Sequence, residues 1–287
     1  MRKIMILNPA AGHGDAAKLK NTEHIGVEIY ETTCIGDAKR FAYEKCFENP
    51  DTHFIICGGD GTVNEVVNGI MESGKSDTAA FSVVPTGSGN DFIKIGLTKG
   101  EKHRIDLIKY NGKYAVNMIN IGFDSRVVAA TEKYKKNHKG STAYLMGVAN
   151  AFFKKLDERF KLTYTDENGN ETVREGDFIL CAIANGNYCG GGFDFAPLSS
   201  VKDGLLDLLI VNKLSRAKFI SVFGDFKKGN FIEEDGTVKK KFKKIITYVK
   251  CSSLTIENTT SVCADGEVEH PDSVHAEAVP DAINYIA

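Results

Sequence analysis

The chain predicts an α/β domain followed by a second, largely antiparallel β domain. Three observations carry that expectation. The first third holds short, fully apolar strands separated by helical patterns, and strands dominate beyond residue 160. Two glycine-rich turns, Gly58-Gly59-Asp60-Gly61-Thr62 and Pro85-Thr86-Gly87-Ser88-Gly89-Asn90-Asp91, each end an apolar strand. Apolar strands alternating with helices argue for a parallel sheet covered on both faces. A run of strands after a βα half argues for a separate β domain. The texture changes near Tyr114, and the boundary is placed near residue 123, giving units 1–123 and 124–275, with the tail of about 276–287 packing back on the first.

In the first unit the strands fit Lys3 to Leu7, Val27 to Glu31, His53 to Cys57 and Ala80 to Val84, and the helices Asp37 to Cys46 and Val63 to Met71. Val63, Val66, Val67, Ile70 and Met71 recur at the spacing of one helical face. Tyr114 to Ile121 reads as a strand, then Ser125 to Tyr134 and Thr142 to Leu156 as helices. Strands follow at Phe160 to Thr165, Thr172 to Ala184 and Leu205 to Val211, a helix near Ala217 to Phe226, and strands at Thr247 to Glu257 and Ser261 to Glu269.

The two glycine turns carry the chemistry. Glycine lets the backbone turn sharply and approach a ligand closely, and freed N–H groups in such turns suit phosphate oxygens. A strand, a glycine turn and a helix start give an anion both amide donors and the favourable end of the helix dipole. Asp60 and Asp91 would repel a phosphate unless a cation lay between, which points to Mg²⁺ with a nucleoside triphosphate. A third turn, Asn8-Pro9-Ala10-Ala11-Gly12, follows the first strand and should face the same crevice, beyond the carboxyl ends of the strands.

Other patterns are set aside on position. Gly69 to Ser76 spells a P-loop, but that loop must leave a strand and open a helix, whereas Gly69 lies inside a helix and a strand follows Ser76. Gly74 suits a helix C′ residue instead. Thr86 spoils a hydrolase elbow, Asn64 spoils the dinucleotide fingerprint, and no Cys/His group has zinc spacing. In the β half, Ser200 to Leu205 places Asp203 among backbone carbonyls, a hard-cation site or a plain Asp-Gly turn. Asp265-Gly266-Glu267 is either a hairpin turn or the carrier of a catalytic carboxylate. The run Lys239 to Lys244 is either a solvated edge or a contact for anionic lipid head groups.

Composition limits the class. A net charge of −2 gives no pull toward nucleic acid. Seven cysteines, an odd number without a C-x-x-C pair, read as reduced thiols of a cytosolic protein. The apolar run after Met1-Arg2-Lys3 is too short for a signal peptide, and no stretch approaches the roughly 20 apolar residues of a membrane span. A soluble protein is expected.

In this order, Asn8-Pro9-x-x-Gly12, Gly58 to Gly69, Pro85 to Phe92, Asn120 to Asp124, Ala184 to Gly186, Gly190 to Phe193, Asp203 to Asp207 and Asp265 to Glu267 closely resemble the diacylglycerol kinase catalytic family, in particular its soluble bacterial lipid kinases. The resemblance spans nearly the whole chain. It implies an N-terminal nucleotide-binding α/β domain like those of phosphofructokinases and NAD kinases, and a C-terminal β-sandwich. It implies ATP contacts at Asn8, Pro9, Ala10, Ala11 and Gly12, at Gly59, Asp60, Gly61, Thr62, Val63, Asn64 and Glu65, at Ser88, and at Thr32. It further implies a magnesium site on Ser200, Asp203 and Leu205, and Glu267 as general base. Asp60, Asp91 and Asp106 would organise the catalytic Mg²⁺ through water, with Asp124 as the alternative to Asp106. His13 stands where many relatives place Lys, and Asp15 to Ile25 is short for the family's first helix. The expected activity is transfer of the γ-phosphoryl group of ATP to a lipid hydroxyl, diacylglycerol giving phosphatidic acid, by a cytoplasmic protein making reversible, peripheral contact with the inner face of the membrane. The rivals are an NAD kinase, which shares Gly-Gly-Asp-Gly, and a nucleotide sensor without catalysis.

Overall fold

The computed structural model describes residues 1–14, 26–86, 90–135, 138 and 140–287. Four parallel strands, β1 (Arg2–Leu7), β2 (Glu28–Glu31), β3 (Thr52–Gly58) and β4 (Ala80–Pro85), lie in the order β2-β1-β3-β4. Helices α1 (Asp37–Glu48) and α2 (Asp60–Glu72) pack on one another. Val63, Val66, Val67 and Ile70 of α2 share a core with Ile4, Ile6, Phe54, Ile56 and Phe81, so the apolar face read from the sequence is the buried one. The two helices cross at Gly69, where a Cβ would come 2.3 Å from the Lys39 carbonyl oxygen. Gly74 follows the Ser73 cap with φ of 68°, the left-handed residue that ends α2. The P-loop lookalike is therefore a helix crossing and a helix terminus.

The second half contains β5 (Lys102–Tyr110), β6 (Lys113–Ala115), β7 (Met118–Gly122), α3 (Phe123–Lys135), α4 (Gly140–Phe152), β8 (Glu158–Asp166) and β9 (Glu171–Ala184). The short pair β10 (Tyr188–Cys189) and β11 (Phe193–Asp194), β12 (Leu206–Asn212) and α5 (Arg216–Lys227) come next. Last are β13 (Ile246–Glu257), β14 (Val262–Ala264), β15 (Glu267–Glu269) and β16 (Ser273–Ile286). Strand β12 and the second half of β9, Phe178 to Ala184, are buried on both faces, with the alternation that a strand imposes. Leu180, Ala182, Leu209 and Val211 face a core shared with Val127, Tyr144, Val148 and Val222 of the three helices. Cys181, Ile183, Leu208 and Ile210 face a second core with Phe160, Leu162, Leu254 and Ile256. The expected α/β half and antiparallel β half are both present.

Two expectations are corrected. Tyr114 to Ile121 is two strands, β6 and β7, broken at Val116 and Asn117. Ser261 to Glu269 is a hairpin of β14 and β15, because Asp265 and Gly266 take φ of 47° and 93°, the left-handed pair of a tight hairpin turn. Strands β5 and β16 add to the elements expected from the sequence. Strand β16 pairs antiparallel with β13 and β5 and, past a register shift between Val279 and Ile283, in parallel with β4 through Asn284 and Tyr285. Hydrogen bonding thus runs without a break from β15 to β2.

Candidate active site

Strand ends β1, β2 and β3 deliver the first group of residues. The Asn8 amide donates to Thr62 Oγ1 at 3.0 Å and its carbonyl oxygen accepts from the Ala10 N–H, which clasps the Asn8–Gly12 turn to the start of α2. Pro9 and Ala11 are half-buried, Ala10 is exposed and Gly12 has φ of 62°. Thr32 is buried beside them, its N–H on the Leu7 carbonyl. The Gly59 cap of α2 receives no side-chain capping bond, so the first N–H groups of the helix stay available to an anion.

The stretch Gly59 to Glu65 then divides. Gly59, Asp60, Gly61 and Thr62 form the turn. Val63 points into the core. Asn64 donates to the Tyr114 carbonyl and to Asp265, and Glu65 accepts from the Gly36 and Ala38 N–H groups at 2.9 and 3.1 Å, capping α1. The side chains of these three residues thus face the protein, Val63 in the core and Asn64 and Glu65 in hydrogen bonds, and form the wall behind the turn. Ser88 lies outside the described residues, as do Gly87, Gly89 and the segment 15–25.

Carboxylates gather beside this turn. Burial pushes Asp60 up to about 6, with Asp91 and Asp265 pushing the same way against hydrogen bonds from the Asp91 and Phe92 backbone. Asp91, 4% exposed, accepts from Lys94 Nζ at 2.5 Å and from the Gly191 N–H at 2.7 Å. Asp124 accepts from the Tyr144 hydroxyl, and burial raises it to about 6 against the pull of that bond and of Asn120, with Asp91 adding repulsion. Asp106 is not part of this group. Its oxygens accept from the Gly204 and Asp281 N–H groups at 2.8 Å each, tying the 200–205 turn to the irregularity in β16. Asp124 therefore stands where Asp106 was expected.

The β14–β15 hairpin brings in the last carboxylates. Asp265 is buried and accepts from the N–H groups of Val116, Asn117 and Met118 and from the Asn64 amide, at 2.6 to 3.0 Å. It fixes the hairpin against α2. Two residues on, Glu267 reaches over the glycine turn: a Cβ at Gly61 would stand 3.0 Å from Glu267 Oε1. Glycine at 61 leaves room for that carboxylate.

These residues fit a hydrated divalent ion. Asp91 repels both Asp60 and Asp124, with the Lys94 ammonium as its counter-charge. No group of three ligating side chains closes on one point among the described residues. Mg²⁺ keeps several waters and commonly reaches the protein through one or two carboxylates plus phosphates. The turn bearing Ser200, Asp203 and Leu205 fits less well. Asp203 accepts from the Leu205 N–H and from Lys250 Nζ at 2.6 Å, and the same ammonium lies 3.0 Å from Asp207. A cation there would share its one carboxylate with Lys250.

Two family models match the chain nearly end to end. Residues 2–120 match the diacylglycerol kinase catalytic domain. Residues 117–287 match the YegS C-terminal NAD kinase beta sandwich-like domain. The chain belongs to the diacylglycerol kinase catalytic family, a family of lipid kinases. It is 30% identical to a "Probable lipid kinase YegS-like" protein of Yersinia enterocolitica, over 98% of this chain and 95% of that one. It is 29% identical to a "Diacylglycerol kinase" of Bacillus subtilis, over 85% and 84%. Among solved structures it is similar to a candidate diacylglycerol kinase of Bacillus anthracis, with a TM-score of 0.73 and 26% identity over 99% of this chain and 94% of that one. Kinases of this family use ATP and typically a divalent metal, and no helix among the described residues is long and apolar enough to cross a membrane.

Proposed function

We propose that this family member phosphorylates diacylglycerol, with Mg²⁺-ATP as donor, and that Glu267 removes the proton of the lipid hydroxyl. The observation that carries this reading is the Glu267 carboxylate standing over Gly61, at the mouth of the turn where α2 offers its free N–H groups. Phosphoryl transfer asks for positioning and charge neutralisation more than for covalent chemistry. The turns at Asn8–Gly12 and Gly59–Thr62 would hold the phosphates, and Lys94 with Asp91 and Asp60 would set the charge beside them. Bound Mg²⁺ would supply neutralisation of the phosphate oxygens. As the lipid oxygen bonds to the γ-phosphorus, its proton passes to Glu267 and the bond to ADP breaks.

A lipid acceptor suits what lies on the far side of Asp124. A cavity of about 50 Å³ opens there, walled by Phe123, Tyr144, Phe193, Phe219 and Phe223 with Asp124 as its acidic member. That volume holds about two waters' worth of matter, so acyl chains would require α5 to yield. α5 is suited to this, since only Val222 of its twelve residues is buried. Diacylglycerol resides in bilayers, so membrane contact would be peripheral and reversible, from the cytoplasmic side. At the 200–205 turn the proposal is a weakly held cation on Asp203 and the carbonyls of Ser200 and Leu205, shared with Lys250.

The test is phosphate transfer from labelled ATP to a panel containing diacylglycerol, other lipids and NAD. Label in phosphatidic acid is expected. Label in NAD alone favours an NAD kinase, and label in none favours a nucleotide sensor.

A further inference from the structure

Two of the large apolar side chains exposed among the described residues lie on neighbouring elements of the β half. Phe153 is 81% exposed and Ile220 is 64% exposed. They belong to different elements that meet: the Arg216 guanidinium at the start of α5 donates to the carbonyls of Phe152 and Lys154 at the end of α4. Phe152 bridges the pair, its ring 5.6 Å from that of Phe153 and 5.7 Å from that of Phe219, the neighbour of Ile220. Phe219 in turn walls the apolar cavity. Lys154, Arg216 and Lys218 are exposed around these residues and have no ion pair among the described residues. Between α3 and α4 a recess of about 200 Å³, lined by Arg126, Asn150 and Lys154, opens beside them.

We propose that this face, the end of α4 with the outer side of α5, docks on an anionic bilayer, Phe153 and Ile220 entering the head-group layer while Lys154 and Lys218 meet lipid phosphates. The proposal deepens the lipid-kinase reading and rests on it for the purpose of the contact. Single exposed apolar residues need no explanation, but large ones on two touching elements, with cations that have no ion pair on the same elements, match an interfacial membrane site. Basic side chains near an anionic leaflet add attraction that salt weakens. The position also suits the chemistry, because the docked face is the outer wall of the cavity beside Asp124. The denser run at Lys239 to Lys244 offers less. It forms a turn around buried Phe242, Lys241 is paired with Asp225 at 2.7 Å, and Lys239 lies 3.9 Å from Glu233.

The test uses the full chain and co-sedimentation with vesicles of phosphatidylcholine, alone or with about a third phosphatidylglycerol, without ATP. Wild type is expected to prefer the anionic vesicles at low salt. Phe153→Ser with Ile220→Ser should weaken that binding about tenfold or more. Lys154→Gln with Lys218→Gln should weaken it and flatten its salt dependence, while Lys240→Gln with Lys243→Gln and Lys244→Gln should leave it unchanged. Melting curves and phosphorylation of a short-chain diacylglycerol dispersed in water should match wild type in every variant, which separates lost docking from lost folding. The proposal is overturned if wild type ignores anionic vesicles, if the Phe153/Ile220 variant binds like wild type, or if only the 240–244 variant loses binding. Should wild type bind through this face yet phosphorylate no diacylglycerol, the substrate reading fails and the docking face stands.

Discussion

Replacing Asp265 by asparagine tests the geometry behind the site more sharply than removing it. The carboxylate serves four donors, two on each oxygen: Asn117 and Met118 N–H on one, the Val116 N–H and the Asn64 amide on the other. Asparagine keeps the shape but turns one oxygen into a donor, so whichever way the amide sits, two buried donors lose their acceptor. An orphaned buried donor costs about 1–3 kcal/mol, giving roughly 2–6 kcal/mol for the pair, less some relief from burying no charge. For a protein of this size about 1 kcal/mol corresponds to a Tm shift of about 2–4 °C. Asp265→Asn should therefore melt roughly 5–20 °C lower. Turnover should fall as well, since the hairpin that carries Glu267 loses its anchor to α2. A Tm within about 2 °C of wild type would refute the reasoning.

Other expectations follow from the same contacts. Gly61→Val should abolish ATP binding by filling the space under Glu267, whereas Lys75→Ala should leave it unchanged. A loss of about tenfold or more for a folded Lys75→Ala protein would contradict the placement of the nucleotide. Asp60, raised from 3.8 to about 6 by burial, favours its protonated form in the native state. Its contribution to stability is complete below its unfolded value and is lost as pH rises through about 6. Mg²⁺ requires the ionised form, so the rise in Tm on adding it should be small at about pH 5 and larger at about pH 7.5, and an equal rise at both would contradict this. Asp203→Ala should lower stability by about 1–3 kcal/mol and abolish any Mg²⁺-dependent rise that survives removal of the nucleotide. A melt indifferent both to chelator and to this substitution would remove the proposed cation from the 200–205 turn.

Much of the α/β half could be read because β1, β3 and β4 hold nearly unbroken apolar runs and α2 repeats Val63, Val66, Val67 and Ile70 on one face. Strand β5 escaped notice because it opens with Lys102, His103 and Arg104, and β16 because Pro280 and Asp281 interrupt it at the register shift. The break between β6 and β7 has no local signal at all. It follows from Asp265, about 150 positions away in sequence, collecting three successive N–H groups. The same non-locality limited the site. Motif order names Asn8, Asp60, Asp91 and Glu267 as candidates, but whether an acidic residue is free to face a ligand or holds the scaffold depends on which amides surround it. Glu65 and Asp106 hold scaffold for that reason, while Asp124 and Lys94 join the acidic group. Lys94 follows Asp91 by three residues in a helical turn, a spacing that suggests the pair once the turn is known.

The central claim is that Glu267, from the β half, acts on an acceptor held above a nucleotide turn built by the α/β half. Glu267→Gln isolates it, since the amide preserves size and removes the base. Turnover and ATP affinity should be measured on the same preparation. The account predicts a loss of roughly 10²- to 10⁴-fold in turnover with ATP affinity unchanged. Turnover above about a tenth of wild type, outside that range, would contradict it and move the base elsewhere.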